Sequence, residues 1–173
     1  MNDSSLRKFA VVTGASSGIG LELAKQFAEN GFDLLVTAED SGITEAAASL
    51  GSLGTDITEF QVDLATPEGV EKLYEKIASM GRPLDAIALN AGVGAGGDFA
   101  RGTALEADLN VIDLNVRSTV YLAKLVLRDM VARNEGKILF TSSIAATMPG
   151  TFNAVYNATK AFVQSLRKQF ATN

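Results

Sequence analysis

Residues 10–20 read AVVTGASSGIG, an apolar run that ends at three glycines and leads directly into a helix-like pattern. Residues 9–12 predict a strand buried on both faces, and from Leu21 onward the apolar residues follow helical spacing. The three glycines are Gly14, Gly18 and Gly20. Glycine lets a backbone turn sharply and approach a ligand, and the unpaired N–H groups of a helix start attract phosphate. The stretch therefore predicts either a phosphate-binding turn or a plain strand-to-helix turn.

The composition of the chain excludes several classes of protein. Its 173 residues are 47% hydrophobic, enough to form the core of one domain, which we expect to extend over residues 1–173. A formal net charge of -5 and a pI near 4.8 argue against a nucleic-acid partner, which requires a basic face. No apolar run is long enough to span a membrane, and residues 1–5 lack the pattern of a signal peptide. We therefore expect no membrane partner and a cytoplasmic location.

The chain contains neither cysteine nor histidine. It therefore has no disulfide framework and no thiolate nucleophile, and the usual general base and metal ligand are both missing. We expect no metal site, and any acid–base chemistry has to use other side chains.

Strand-like and helix-like segments alternate five times along the chain. This alternation predicts an α/β fold with a doubly wound parallel sheet, helices on both faces and right-handed crossovers. The predicted strands are residues 9–12, 32–38, 57–64, 84–89 and 137–140. The helices that follow them include residues 44–50, 67–80, 105–132 and about 153–170.

Two carboxylates follow the second predicted strand, where a dinucleotide-binding fold meets the adenosine ribose. The position falls near Ala38, with Glu39 and Asp40 directly beyond it. Carboxylates repel a 2′-phosphate and accept hydrogen bonds from a free 2′-hydroxyl, which favours NAD over NADP. Alternatively, Glu39 and Asp40 only begin a solvated loop and the next helix.

Further polar residues follow the third and fourth strands or interrupt the longest helix. Asp63, beside Leu64, either contacts an adenine edge or forms a turn. Asn90-Ala91-Gly92 opens a second glycine-rich loop at the carboxyl end of a strand, where it can line a ligand crevice. Asn115 lies between apolar helical turns: it is either a surface residue or irregularity, or a buried amide that anchors a water or side chain.

Tyr156 and Lys160 are four residues apart on the last predicted helix and therefore share one face. An ammonium near a phenol favours the phenolate, which makes the phenol a usable acid–base group. Ser143 follows the fifth strand, where its hydroxyl can share a substrate oxygen with Tyr156. Alternatively, Tyr156 and Lys160 are an ordinary surface pair.

In this order and near these spacings, the sequence resembles the classical short-chain dehydrogenase/reductase family from about Lys8 to its end. The residues that carry the resemblance are Thr13-Gly14-Ala15-Ser16-Ser17-Gly18-Ile19-Gly20, Asp63, Asn90-Ala91-Gly92, Asn115, Ser143 and Tyr156-Asn157-Ala158-Thr159-Lys160. Together these motifs are highly specific.

The resemblance implies a Rossmann-type domain that transfers a hydride between NAD or NADP and a small alcohol or carbonyl substrate. Tyr156 would be the general acid–base, Lys160 would favour its phenolate and hold the nicotinamide ribose, and Ser143 would orient the substrate oxygen. Asn115 would hold a water that links Lys160 to a proton relay. The implied cofactor-binding residues are Gly14, Ser16, Ser17, Gly18, Ile19, Gly20, Asp63, Leu64, Asn90, Ala91, Gly92, Tyr156 and Lys160. The resemblance implies a homo-oligomer, a dimer or tetramer. Apolar residues on more than one face of the two long helices either point the same way or all face this chain's own sheet.

The family usually continues beyond the helix that bears Tyr156, whereas this chain stops at Asn173. A sixth strand and a loop over the nicotinamide and substrate would normally follow, so we expect the edge of the fifth strand to be uncovered. Two hypotheses follow: an oxidoreductase or its catalytic part, and a short form that serves as a binding or interaction module without turnover.

Overall fold

The computed structural model describes residues 7–170. The prediction that residues 1–5 are not a signal peptide concerns residues outside this range, and so does the end of the chain at residues 171–173. Five strands alternate with helices as predicted. The strands are β1 (Lys8–Thr13), β2 (Phe32–Ala38), β3 (Ile57–Gln61), β4 (Ala86–Leu89) and β5 (Lys137–Phe140). The helices are α1 (Gly18–Glu29), α2 (Gly42–Gly51), α3 (Pro67–Ser79), α4 (Leu105–Ile112), α5 (Thr119–Arg133) and α6 (Ala154–Phe170).

The sheet is parallel throughout, with the strand order β3-β2-β1-β4-β5. Ala10 in β1 pairs with Leu34 on one side and with Ala86 on the other. The chain thus leaves β1 in one direction to build β2 and β3, and returns to its other side to build β4 and β5. This reversal opens a crevice at the carboxyl ends of β1 and β4, where such sheets bind ligands.

Alternate residues of each central strand enter opposite cores, because successive side chains of a strand point to opposite faces. Phe9 and Val11 pack in one core with Leu73 of α3 and Val126 of α5. The other core contains Ala10 and Val12 together with side chains of α1 and α2, namely Ala24, Ala28, Ile43, Ala47 and Leu50. The sheet is therefore covered on both faces, which confirms the predicted doubly wound fold.

Two predicted strands are longer than the observed ones. β3 ends at Gln61 instead of continuing to residue 64, because the Asp63 carboxylate accepts a hydrogen bond from Ala65 N (2.8 Å) and so forms a turn. β4 begins at Ala86, two residues later than predicted.

The predicted helix over residues 105–132 is not one regular α-helix. A π-helical segment, Asp113–Ser118, separates α4 from α5 and contains Asn115. α5 ends at Arg133, within one residue of the predicted end, where Asn134 in the left-handed conformation (φ 54°) terminates it. The last helix begins at Ala154, close to its predicted start.

Candidate active site

The turn between β1 and α1 has the backbone conformation that its glycines predict. Gly14 and Gly18 have φ values of +66° and +54°, which most side chains disfavour. A Cβ atom on Gly20 would lie 1.9 Å from the Gly14 carbonyl oxygen, so only glycine fits there. Ser17 makes no side-chain cap and the first turn contains no acidic residue. The positive end of α1 is therefore available to a phosphate.

Thr13 links this turn to the loop after β4. Its hydroxyl accepts hydrogen bonds from Asn90 N (2.9 Å) and Ala91 N (3.0 Å) and donates to Ala88 O (3.3 Å). The Asn90 side-chain amide donates to Thr13 O at 3.0 Å. Asn90 thus holds the two glycine-rich loops together, whereas the sequence alone suggested a direct cofactor contact, which stays a prediction.

A cavity of about 210 Å³ lies beside these loops, at the carboxyl ends of β1, β2 and β4. Glu39 and Asp40 both line it, at the position predicted for the adenosine ribose. Asp40 accepts hydrogen bonds from Ser16 Oγ and from Gly42 N, both at 2.8 Å. Asp40 therefore also begins α2, so both of its predicted roles fit its position. The cavity is lined by Gly14, Ser16, Ser17, Ala38, Glu39, Asp40, Val62, Leu64, Ala91, Gly92, Val93 and Leu114.

Beyond β3, Leu64 lines the cavity but Asp63 does not. The Asp63 carboxylate is exposed and bound to Ala65 N, which agrees with the turn alternative. Its predicted contact with an adenine edge stays a prediction. Val62 lines the cavity and was not recognised from the sequence, because it looked like any other strand residue.

Asn115 is only 1% exposed, so it is the buried amide that the sequence left as one of its alternatives. Its Oδ1 accepts from Val93 N (2.9 Å), and its Nδ2 donates to Val93 O (2.9 Å) and to Thr159 Oγ1 (3.0 Å). These bonds connect the π-helical segment to the loop after β4 and to α6. Asn115 thereby positions three elements at once.

Lys160 and Tyr156 lie on one face of α6, with Lys160 Nζ 5.8 Å from the centre of the Tyr156 ring. Lys160 is 5% exposed and donates to Thr141 O at 3.1 Å, and its burial lowers its pKa. A Cβ atom on Gly92 would lie 3.0 Å from Asn115 Oδ1 and 3.1 Å from Lys160 Nζ. Gly92 is therefore the point where this cavity meets Asn115 and Lys160.

The segment that bears Ser143 is anchored on α6 at two positions just after Tyr156. Ser142 Oγ donates to Lys160 O, and Asn157 Nδ2 donates to Gly150 O, both at 2.9 Å. The Ser143 hydroxyl accepts from Ala145 N (3.1 Å) and starts a 3-10 helix, Ile144–Ala146, which the sequence did not predict. Ser143 is partly exposed, so its hydroxyl is accessible to a substrate.

The comparison with protein families decides what this arrangement is. The model of the family described as short chain dehydrogenase matches residues 8–173, nearly the whole chain. The chain belongs to the short-chain dehydrogenase family. The match includes the glycine turn, the Asn90 loop, Asn115, Ser143, Tyr156 and Lys160.

Individual short-chain dehydrogenases are similar over most of this chain. The NADP-dependent 3-hydroxy acid dehydrogenase YdfG of Salmonella typhi is 32% identical over 163 residues, 94% of this chain and 63% of that protein. Retinol dehydrogenase 8 of Bos taurus is 37% identical over 169 residues, 92% of this chain and 53% of the relative. L-Sorbose reductase from Gluconobacter frateurii, crystallised with NADPH and L-sorbose, has 37% identity and a TM-score of 0.89, over 96% of this chain and 64% of that one.

The chain spans about 63% of the length of the first short-chain dehydrogenase named above. All three named relatives are dehydrogenases or reductases, which gives no support to the alternative of a non-catalytic module. Two of them are described with NADP or NADPH, so they support a nicotinamide cofactor but not the expected preference for NAD. Between residues 7 and 170, no helix is both long and apolar enough to cross a membrane.

Proposed function

We propose that this chain is the cofactor-binding and catalytic part of an oxidoreductase that interconverts an alcohol and a carbonyl compound with NAD(H) or NADP(H). One observation carries the proposal: Lys160, Asn115 and the cofactor cavity converge at Gly92, with Tyr156 one helical turn from Lys160. A buried lysine beside a tyrosine, at the open end of a parallel sheet, has no evident structural purpose. It suits an acid–base site.

The described residues fit a dinucleotide. The glycine turn and the uncapped start of α1 suit its pyrophosphate, and the cavity at Ala38 and Glu39 suits its adenosine. When bound, a reduced nicotinamide supplies the hydride that a carbonyl carbon accepts. The remaining chemistry is a proton transfer and belongs to this chain.

In the reductive direction, we assign the proton to the Tyr156 hydroxyl. As the carbonyl carbon gains a hydride, its oxygen gains the Tyr156 proton, so that C=O becomes CH–OH, and solvent then reprotonates the phenolate. The ammonium of Lys160 stabilises that phenolate, and the Ser143 hydroxyl donates to the substrate oxygen. Asn115 acts as a positioning residue because three hydrogen bonds engage its amide. The water that the family resemblance attaches to Asn115 stays a prediction.

The test is Tyr156→Phe, followed by NADH oxidation with a panel of ketones and by calorimetric titration of the cofactor. Removing the proton donor should lower turnover by about 100-fold or more while cofactor affinity changes little. Tyr121→Phe is the matched control, because the Tyr121 hydroxyl forms its hydrogen bond with Glu71 of α3 in an exposed position. Comparable turnover by Tyr156→Phe and the wild type would refute the assigned role.

We further propose that the cofactor is NAD rather than NADP, on the charges of the cavity. A 2′-phosphate at the ribose position would meet Glu39 and Asp40, and like charges within about 4–6 Å oppose binding. Glu39→Arg should therefore lower the ratio of NAD to NADP affinity at least tenfold. Glu39 is the residue to change because the Asp40 carboxylate also accepts hydrogen bonds from Ser16 Oγ and Gly42 N. Tighter binding of NADP than NAD by the wild type would contradict this preference.

We also propose a homodimer or higher oligomer. Large apolar side chains are exposed on the outer side of α4 and α5, so they do not all face the sheet of their own chain. They are Leu105, Leu109, Ile112, Val120 and Val131.

A further inference from the structure

Apolar side chains are exposed along the segment between Ser143 and Tyr156. Ile144, directly after Ser143, is 74% exposed, Met148 is 70% exposed and Phe152 is 65% exposed. Ser142, which precedes this segment, donates to Lys160 O of α6, and Gly150 within the segment accepts from Asn157 Nδ2 of α6. The segment is therefore held against the helix that bears Tyr156, while its three exposed side chains contribute little to the core.

Phe152 is also in a strained conformation. Its φ is +61°, in the left-handed region that a bulky residue rarely adopts, and its carbonyl accepts a hydrogen bond from Gly97 N (2.8 Å). Left-handed backbone is unfavourable in a residue other than glycine. Burial of the ring does not offset this cost, because the ring is exposed. A glycine would relieve the strain, so the presence of phenylalanine suggests a use for the exposed ring.

Two chain segments next to Tyr156 contain no charged residue. No Asp, Glu, Lys or Arg occurs within residues 86–97, which pass Tyr156 at Gly94, or within residues 138–159. Lys160 is buried, and the next basic residue near this loop is Arg101. The Asp98 carboxylate accepts from Ala100 N (2.9 Å) and Arg101 N (3.1 Å) within its own loop. A charged substituent beside Tyr156 would therefore find no partner in these two segments, and an ion without a partner is costly to desolvate.

From these observations we propose that the substrate is an uncharged ketone or secondary alcohol whose larger substituent is aromatic or aliphatic. Ile144, Met148 and Phe152 contact that substituent and determine specificity, while its oxygen reaches Ser143 and Tyr156. The inference rests on the proposed function and concerns the same site. The bonds that change are those described above: the carbonyl carbon gains a hydride, its oxygen gains the Tyr156 proton, and the large substituent is unaltered.

The test compares acetophenone, 4-acetylbenzoate and acetone as substrates of the full chain with NADH. Acetophenone and 4-acetylbenzoate differ only in one carboxylate, and acetone lacks the ring. We expect kcat/KM for acetophenone to exceed that for 4-acetylbenzoate at least about tenfold, because a carboxylate without a partner is costly to desolvate. Arg101→Ala should leave this ratio unchanged.

Two variants test the assigned residues. Phe152→Gly should lower kcat/KM for acetophenone severalfold, leave that for acetone unchanged and raise Tm, because it removes the ring and the strain together. A purely structural role for Phe152 would instead change both substrates alike. Met148→Lys should shift the ratio at least tenfold toward 4-acetylbenzoate, because it supplies the missing cation.

The outcomes separate this inference from the proposed function. Turnover that is equal or faster with 4-acetylbenzoate overturns the apolar specificity and leaves the oxidoreductase in place. No turnover with any ketone contradicts the proposed function. In that case, saturation-transfer NMR with the two aromatic ketones in the presence of NAD decides the specificity. Preferred binding of acetophenone supports it, and equal binding of both, or of neither, overturns it.

Discussion

The ammonium of Lys160 is held where it destabilises the folded chain. The side chain is 5% exposed and its burial lowers its pKa. Between this lowered pKa and the ordinary pKa of lysine, the unfolded chain binds more protons than the folded one, so the free energy of unfolding rises with pH. At pH values below the lowered pKa, Lys160 is charged in both states and the folded chain bears the full cost of burying its ammonium. A residue that reduces stability at neutral pH is expected at a functional site.

Lys160→Met should remove this pH dependence along with turnover. In urea unfolding measured from pH 7 to pH 10, the wild type should gain stability relative to Lys160→Met as the pH rises. Lys72→Met is the matched control, because Lys72 is exposed. Its curve should run parallel to that of the wild type. If the free energy of unfolding of Lys160→Met followed the same pH dependence as that of the wild type, burial would not disfavour the Lys160 ammonium.

Individual site residues could be predicted wherever the local sequence determines their geometry. Tyr156 and Lys160 share a face because helical spacing requires it, and Gly14 and Gly18 adopt the positive φ that their turn needs. The link from Thr13 to the Asn90 loop and the place of Val62 in the cavity could not be predicted. The Thr13 hydroxyl lies next to Asn90 N only because β1 pairs with β4 in the sheet. Val62 lines the cavity because β3 ends one residue earlier, at Gln61.

At the scale of elements, the π-helical segment separates what periodicity can predict from what it cannot. One wider turn hardly disturbs the apolar stripe, which continues through Leu109, Ile112, Val116 and Val120, so the sequence reads as one helix. This wider turn nevertheless contains Asn115, whose side chain is buried and forms hydrogen bonds with Val93. π-Helical turns frequently occur at functional sites, and this one joins α6 to the loop after β4.

Asn115→Leu should therefore loosen the site as well as destabilise the fold. It removes three hydrogen bonds and leaves both polar backbone groups of Val93 without these partners, which we expect to cost roughly 2–4 kcal/mol in urea unfolding. Exchange of the Val93 amide hydrogen should accelerate in parallel. Asn110→Leu is the control, since Asn110 is exposed on α4 and should change stability by less than about 0.5 kcal/mol. An unchanged Val93 exchange rate would contradict the positioning role.

At the scale of the whole molecule, the two ends of the sheet differ. At the amino end, Asp33 forms an ion pair with Arg82 (2.7 Å) that is mostly buried, whereas the carboxyl end opens into the cofactor cavity. In the part of the chain that the structure describes, the edges of the sheet are β3 and β5, and the side chains of β5 are partly or fully exposed. The order of the elements could be predicted because each strand and helix carries its own periodicity. The association of copies could not be predicted, because an apolar stripe on a helix can pack equally well against its own core or against a partner.

The exposed apolar stripe on α4 and α5 predicts the oligomeric state. Residues 105–133 extend for about 43 Å, and cavities of about 430 and 530 Å³ lie between this pair of helices and α6. Phe162 of α6 is also exposed and extends the apolar face beside these cavities. Light scattering should therefore give at least twice the chain mass of 18.1 kDa.

Val120→Glu combined with Phe162→Glu should give the monomer, because it places carboxylates on the apolar face. Leu53→Glu, on an exposed residue elsewhere, should leave the mass unchanged. A wild type that is monomeric at micromolar concentration would show that this face binds something other than a second copy.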